Sequence, residues 1–161
     1  METRVYIDFD GVILDTQYYI TLGKAIYSEL SWAEYVKIIN WRELIKKSNV
    51  INDSIRILRS LNKKENFYIL TRVHSFLEAN EKILFLRSNK IELPVIITPP
   101  DMSKEIVIYP NNKDILVDDY IGNLIPWIEK GGYGILFDNN DIHQEIKDIE
   151  KQKNLSFLKM Y

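Results

Sequence analysis

The chain of 161 residues contains no cysteine. This absence excludes disulfide bonds, thiolate metal ligands and a cysteine nucleophile. It is compatible with a reducing compartment, where disulfides are rare. The length fits one ordinary domain with a small insertion, and 46% hydrophobic with 27% charged residues is a globular balance.

A strong charge imbalance and a long apolar run are also missing. The formal net charge is -2 and the pI is near 5.7, so there is no electrostatic case for bulk binding to nucleic acid or to a membrane. The first residues, METRVYIDFD, lack the apolar segment of a signal peptide or a membrane anchor. We therefore expect a soluble, cytoplasmic protein.

The most informative stretch is VYIDFDGVILDT, residues 5–16. An apolar strand pattern ends there in Asp8 and Asp10, followed by Gly11. Side chains two residues apart share a face of a strand, so the two carboxylates start out side by side. Neighbouring carboxylates raise each other's pKa unless a cation or positive side chains lie between them. The local sequence therefore predicts a metal site.

The pattern from residue 16 to residue 64 predicts helices. Tyr18, Leu22 and Ile26 recur at helical spacing, and Ser31 with Glu34 forms a capping-box pattern for a second helix that runs to residue 47. A third, short helix is predicted after Asn52 or Asp53. This segment reads as a helical insertion directly after the acidic strand.

The rest of the chain alternates between strand and helix patterns. Strands are predicted at residues 67–70, 94–98, 115–117 and 133–137, and residues 101–112 fit either a short strand or a bent helix. Helices are predicted from the capping box of Ser75 and Glu78, around Pro126 in a first turn, and from Asp141 onward. Gly131 and Gly132 are predicted to end the helix that contains Pro126.

This order is typical of an α/β protein whose mostly parallel sheet is covered by helices on both faces, giving three layers. The ligand site in such a sheet lies at the carboxyl ends of the strands. The predicted strands end in polar side chains that are able to hold a metal and a phosphate: Asp8, Asp10, Thr71, Thr98, Asp118 and Asp119.

Four ordered pieces of the chain resemble the haloacid dehalogenase (HAD) superfamily of phosphohydrolases. They are DFDGV at residues 8–12, the strand ending at Thr71, Lys104, and LVDD at residues 116–119. The resemblance covers nearly the whole chain. It implies a Rossmann-like core at residues 1–15 and 65–161, with a small helical cap at residues 16–64. Within the superfamily, the size, the insertion and GGYGILF at residues 131–137 most resemble small 5'(3')-deoxyribonucleotidase-type members.

The resemblance implies roles for the acidic residues. Asp8 would attack phosphorus and form an aspartyl-phosphate, and Asp10 would act as general acid and base. Mg²⁺ would be the cofactor, held by the Asp8 side chain, the Asp10 backbone carbonyl and one of Asp118 or Asp119. The sequence leaves open which of the last two contacts the metal, since either can instead cap the following helix.

The phosphate contacts follow from the same resemblance. Thr71 would donate its hydroxyl to a phosphate oxygen, backbone amides near Gly11 would add to this cradle, and Lys104 would counter the charge of Asp8. Lys113 is the rival of Lys104, but we expect it at the opposite end of the sheet. Arg72 is assigned to substrate binding from its position just after the second strand and not from the resemblance, although such residues are more often exposed or bonded to a loop carbonyl.

His74, Tyr18 and Tyr19 each have two interpretations. His74 could reach the substrate from the loop after the second strand, although such residues are more often exposed or bonded to a loop carbonyl. Tyr18 or Tyr19 would stack on a nucleobase if the insertion acts as a cap, whereas the simpler interpretation is helix packing.

These observations predict a magnesium-dependent phosphomonoester hydrolase that acts on a nucleotide or another small phosphorylated metabolite, with 5'-nucleotidase activity as one form. A sugar phosphomutase of the same superfamily is the nearest alternative enzyme. The alternative from another class is a non-catalytic phosphate-binding or regulatory module.

Overall fold

The computed structural model describes residues 2–161 and contains one parallel sheet of six strands. The strands are β1 (Arg4–Ile7), β2 (Phe67–Arg72), β3 (Val95–Thr98), β4 (Asp114–Asp118), β5 (Tyr133–Phe137) and β6 (Glu150–Gln152). They lie side by side in the order β3-β2-β1-β4-β5-β6. The order reverses at β1, which places the end of β1 at the switch point of the sheet. The predicted parallel sheet is confirmed.

Seven α-helices and a terminal 3₁₀ helix connect or follow these strands within residues 2–161. The α-helices are α1 (Thr16–Ile26), α2 (Trp32–Ile38), α3 (Trp41–Lys47), α4 (Ser54–Ser60), α5 (Phe76–Ser88), α6 (Lys104–Ile108) and α7 (Ile121–Glu129), and the 3₁₀ helix is Leu155–Met160. None of these helices is long and apolar enough to cross a membrane.

The two faces of the sheet carry separate apolar clusters, because successive strand side chains point to opposite faces. Val5 and Ile7 of β1 pack in a large cluster with residues of α4, α5 and the 3₁₀ helix. Tyr6 points the other way and packs with Leu124 and Trp127 of α7. The protein therefore has the three layers that the strand and helix pattern predicts.

Helices α1 to α4 fill the segment between β1 and β2. A small cluster of Ile20, Tyr35, Trp41 and Leu44 joins α1, α2 and α3. Leu58 of α4 instead belongs to the large cluster under the sheet. Part of this segment is thus integral to the main core.

The predicted single helix over residues 31–47 is wrong, although its start is confirmed. Ser31 Oγ accepts a hydrogen bond from the Glu34 amide at 3.2 Å, and Glu34 Oε2 accepts one from the Ser31 amide at 2.8 Å. The helix then ends at Ile38, and Asn40 Oδ1 caps α3 by accepting from the Glu43 amide at 3.2 Å. The side chain of Asn40 restarts the helix because it satisfies a free amide of the first turn.

The helix predicted from Asp141 is also wrong, and His143 lies in a loop. Asp141 has a φ of +55°, whereas helix N-caps have extended backbone. The carboxylate of Asp138 accepts hydrogen bonds from the amides of Ile142 and His143 at 2.9 and 3.0 Å. These bonds hold the segment as a turn that leads into β6, a strand that the sequence analysis did not predict.

Two other details of the helices were settled by the structure. The ambiguous segment 101–112 contains the short helix α6. Helix α7 begins at Ile121, so Pro126 lies in its interior and the prediction of a first-turn proline is wrong. The predicted stop is confirmed, since Gly131 has a φ of +99° and the Gly132 amide donates to the Trp127 carbonyl at 3.0 Å.

The packing of α4 predicts a matched pair of stability effects. Leu58 is fully buried, whereas Leu84 of α5 is 48% exposed. Leu58→Ala should lower the free energy of unfolding by about 2–5 kcal/mol, because it leaves a cavity in the main core. Leu84→Ala should cost less than about 1 kcal/mol. Urea unfolding measures both, and equal losses would contradict the placement of α4 in the core.

Candidate active site

The acidic turn after β1 lies beside the end of β4. Ile7 pairs with Val117 in the sheet, and the Asp8 amide donates to the Val117 carbonyl at 2.9 Å. This register brings Asp8 next to Asp118 across two parallel strands. One carboxylate oxygen each from Asp8, Asp118 and Asp119 lie within 4.8 Å of one another.

Lys104 connects the two strand ends. Its Nζ lies 2.7 Å from Asp8 Oδ1 and 2.6 Å from Asp118 Oδ2. Lys104 is the first residue of α6 and is 1% exposed. Burial disfavours the charge of the ammonium group, but the attraction of Asp118 and Asp8 is larger and raises the pKa of Lys104. The Lys104 ammonium group therefore bridges two carboxylates.

Asp118 uses both oxygens within the protein. Oδ2 accepts from Lys104 and also from Asn123 Nδ2 at 3.0 Å, and Oδ1 accepts from the Tyr120 amide at 2.9 Å. Three hydrogen bonds hold this side chain in place at the start of α7. The N-cap of α7 is Tyr120, and no side-chain hydrogen bond caps this helix, so the capping role that the sequence offered as an alternative for Asp118 is not found.

Asp119 has no such partners. No side chain or amide within residues 2–161 donates a hydrogen bond to its carboxylate, and Asp8 Oδ2 is equally without a donor in that range. Burial, followed by the charges of Asp8 and Asp118, raises the pKa of Asp119 to about 9. Burial and Asp118 likewise raise the pKa of Asp8 to about 7, against the opposing effect of Lys104.

Burial is the larger cause of both shifts, and repulsion between the neighbouring carboxylates adds to it. Carboxylate oxygens are the ligands that Mg²⁺ and Ca²⁺ prefer. The three carboxylates Asp8, Asp118 and Asp119 are therefore able to hold a divalent cation, and Asp8 and Asp119 have oxygens free for it.

Lys82 forms a second ionic group beside the first. Its Nζ lies 2.6 Å from Asp10 Oδ2, 2.8 Å from Glu78 Oε1 and 3.0 Å from Thr71 Oγ1. Asp10 Oδ1 accepts from Thr16 Oγ1 at 2.6 Å. Burial raises the pKa of Asp10, but the charge and hydrogen bond of Lys82 outweigh it, so the pKa of Asp10 is lowered.

The sequence analysis missed Lys82. Its only signal was a charged pair, Glu78 and Lys82, four residues apart on the face of α5 that also carries the buried Leu86. Glu78 was interpreted as a capping residue. Ser75 Oγ does accept from the Glu78 amide at 3.1 Å, but the Glu78 carboxylate bonds to Lys82 and to the amide and Nδ1 of His74.

The remaining predicted site residues are placed as follows. Thr71 is fully buried at the end of β2. The Gly11 amide already donates to the Leu14 carbonyl at 2.8 Å, so this amide is not free for a phosphate. The amides of Phe9 and Asp10 donate to no acceptor in the described part of the chain and are the available donors of this turn.

Arg72 and His74 are engaged with the protein. The Arg72 guanidinium donates to the Pro100 carbonyl. The His74 ring stacks on Trp41 of α3, with centroids 5.8 Å apart. Lys113 lies at the other end of the sheet, as expected, because its carbonyl accepts from the Arg4 amide at the start of β1.

Tyr18 and Tyr19 belong to α1. Their rings contact each other edge to face at 5.1 Å, and Tyr18 is 60% exposed. Tyr18 therefore does not pack in the core, which leaves its ring accessible.

Comparisons with known proteins place the fold. Neither the profiles of known protein families nor the curated protein sequences match this chain. Solved structures do match. A HAD-superfamily hydrolase, subfamily IA, variant 1, from Geobacter sulfurreducens aligns over 99% of this chain and 99% of its own, with a TM-score of 0.69 and 12% identity.

Two further structures agree. A haloacid dehalogenase-like hydrolase from Xanthomonas campestris aligns over 97% of this chain and 92% of its own, with a TM-score of 0.61 and 13% identity. A HAD-superfamily hydrolase from Ehrlichia chaffeensis aligns over 99% and 95%, with a TM-score of 0.55 and 14% identity. The chain therefore has the fold of the HAD-superfamily hydrolases, which confirms the fold predicted from the resemblance.

Gly11 provides a structural test of the site. It has a φ of +73°, and a Cβ added to it would lie 1.9 Å from Asp119 Oδ2. Gly131 also has a positive φ, but a Cβ there meets no described atom within 4 Å. Gly131→Ala should cost about 1–2 kcal/mol for the left-handed backbone alone. Gly11→Ala should cost at least about 1 kcal/mol more, because Asp119 must move.

Urea unfolding of both variants measures the difference in the free energy of unfolding, and a crystal structure of Gly11→Ala should show Asp119 displaced. Equal costs for the two variants would contradict the close packing of Gly11 against Asp119.

Proposed function

We propose that the protein is a Mg²⁺-dependent phosphomonoester hydrolase in which Asp8 is the nucleophile. The observation that carries the proposal is the carboxylate group at the end of β1 and β4, with Asp8 held by Lys104 through Oδ1 and its Oδ2 free. The fold supports the same class, since the structures that it matches are named as hydrolases. A buried carboxylate with one free oxygen is suited to covalent catalysis.

Asp8, Asp119 and the Asp10 carbonyl are the proposed metal ligands. Asp119 takes this role rather than Asp118, because both oxygens of Asp118 are bonded to Lys104, Asn123 and Tyr120. Asp118 instead positions Lys104. A Mg²⁺ ion held by these ligands would neutralise negative charge on the carboxylates and on the phosphate.

The proposed phosphate cradle surrounds the free oxygen of Asp8. The amides of Phe9 and Asp10, the hydroxyl of Thr71 and the ammonium group of Lys104 supply hydrogen bonds and positive charge. Such preorganised donors stabilise the charge that is spread over the oxygens of the transferring group.

The reaction then has two steps. Asp8 Oδ2 attacks phosphorus, the bond to the ester oxygen breaks, and Asp10 gives that oxygen a proton. Asp10 must enter this step protonated, against the lowering of its pKa by Lys82. Asp10 then takes a proton from water as the water oxygen attacks the aspartyl-phosphate, which releases phosphate and restores Asp8. Within residues 16–64, helices α1 to α3 are the proposed cap over this edge of the sheet, since α4 packs in the main core.

Small phosphorylated metabolites are the proposed substrates. Nucleoside monophosphates come first, because the insertion and residues 131–137 resemble nucleotidase-type members. The accessible ring of Tyr18 is a candidate stacking surface for a base.

A panel of phosphate esters, including 5' and 3' nucleoside monophosphates and sugar phosphates, tests the proposed activity. We expect phosphate release that requires Mg²⁺ and stops on chelation. Asp8→Asn should lower kcat by on the order of 10⁴-fold or more, because the nucleophile is lost. Asp141→Asn is the matched control, since Asp141 pairs only with the exposed Lys153.

Three outcomes would contradict the proposal. These are no turnover of any ester, equal turnover by Asp8→Asn, and isomerised sugar phosphates in place of free phosphate. The last would favour a phosphomutase. Phosphate binding without turnover would favour a non-catalytic module.

The covalent step has its own test. Acid quenching during turnover should trap a phosphoryl group on the peptide that contains Asp8, and mass spectrometry after borohydride reduction would locate it. The trapped phosphoryl group should be absent from Asp8→Asn. A phosphoryl group trapped on any other residue would contradict the assignment of Asp8 as nucleophile.

A further inference from the structure

The ammonium group of Lys82 lies among more acceptors than it has protons. Four oxygens surround Nζ within 3.1 Å: Asp10 Oδ2, Glu78 Oε1, Thr71 Oγ1 and the Arg72 carbonyl. An ammonium group donates three hydrogen bonds. Lys82 is fully buried, so these contacts are its whole polar environment.

Burial of this kind is not explained by stability alone. Taking an ammonium group out of water costs several kcal/mol, and apolar residues of similar volume often replace buried ion pairs without loss. Glu78, four residues earlier in the same helix, would suffice as a partner. Lys82 instead reaches across 72 sequence positions to Asp10.

The contact with Thr71 sets the direction of a hydroxyl group. Because Thr71 Oγ1 accepts from Lys82 at 3.0 Å, its own proton points away from Nζ. The acceptor that the protein offers for this proton is the Arg72 carbonyl at 3.4 Å, which is a weak hydrogen bond. The hydroxyl proton is therefore available to an incoming phosphate oxygen.

The contact with Asp10 fixes a carboxylate. Thr16 holds Oδ1 and Lys82 holds Oδ2, both at 2.6 Å, so the plane of the carboxylate is defined from both sides. Fixed orientation of an acid or base contributes to catalysis because proton transfer requires hydrogen-bond geometry.

Glu78 fixes Lys82 in turn. Its Oε1 lies 2.8 Å from Nζ, and its Oε2 accepts from the His74 amide at 2.6 Å. The His74 ring stacks on Trp41. Contacts thus connect α3 to Asp10 through His74, Glu78 and Lys82.

We propose that Lys82, held by Glu78, is a positioning residue that orients both Asp10 and Thr71 for phosphoryl transfer. This inference rests on the proposed function. Lys82 acts through these two side chains and not through a contact of its own with the substrate.

The leaving group of the substrate separates this role from a structural one. A nitrophenolate leaves without a proton, whereas an alkoxide needs the proton of Asp10. Because kcat/KM reports only the first step, Lys82→Met should lower kcat/KM for an alkyl phosphate by on the order of 10²-fold, and kcat/KM for para-nitrophenyl phosphate by only about tenfold. Glu81→Gln, on the same helix and paired only with Arg42, should change neither rate. Equal losses on the two esters would overturn the role through Asp10.

A measurement without turnover tests the role through Thr71. Calorimetry with inorganic phosphate and Mg²⁺ compares the wild type, Lys82→Met, Thr71→Val and the double variant. Lys82→Met should weaken phosphate binding in the wild type and have little further effect in Thr71→Val. Additive losses would show that Lys82 contacts phosphate directly and would overturn the proposal.

This measurement also separates the two proposals. If the wild type binds phosphate but hydrolyses no ester, the proposed function fails. The comparison of phosphate binding among the four proteins then decides the role of Lys82 by itself. If the wild type does not bind phosphate, both proposals fail.

Lys82→Met leaves Glu78 buried without its cation and can therefore destabilise the fold. A second variant controls for this effect. Glu78→Gln with Lys82→Met removes both charges at nearly constant volume. We expect this variant to unfold at a urea concentration close to that of the wild type and to show the same leaving-group difference. Wild-type rates on both esters would overturn the proposal.

Discussion

The structure depends on two buried lysines that hold acidic side chains from four parts of the chain at one edge of the sheet. Lys104 joins the ends of β1 and β4, and Lys82 joins the turn after β1 to α5 and β2. The acidic groups outnumber the lysines: Asp8, Asp10, Glu78, Asp118 and Asp119. Burial, together with repulsion from the neighbouring carboxylates, raises the pKa values of Asp8 and Asp119.

Parallel topology makes this concentration of charge achievable. The switch in strand order at β1 puts the acidic turn between two neighbours, and the pairing of Ile7 with Val117 sets Asp8 beside Asp118. Apolar side chains below, on both faces of the sheet, fix the strands in that register. The core thus offsets the cost of holding like charges together.

Much of the site was predictable because each strand is an apolar run that ends in a polar residue. The apolar run before Asp8 and the patterns ending in Thr71 and Asp118 specify which polar residues meet at the carboxyl edge. Lys82 was not predictable in this way, since it comes from mid-helix and meets Asp10 only through tertiary packing. β6 was missed for a related reason: its sequence, EKQ, has no apolar alternation, and its pairing with β5 is set by the turn that Asp138 holds.

Magnesium-dependent stability is the most direct test of the central claim, which is that the carboxylate group exists to hold a divalent cation. In urea unfolding at constant ionic strength, the free energy of unfolding of the wild type should rise with Mg²⁺ concentration. The rise should reach about 2.7 kcal/mol at one hundred times the dissociation constant. Asp119→Asn should largely abolish this increase, because Asp119 has carboxylate oxygens free for the metal. A wild-type stability that is independent of Mg²⁺, or an equal rise in Asp119→Asn, would contradict the account.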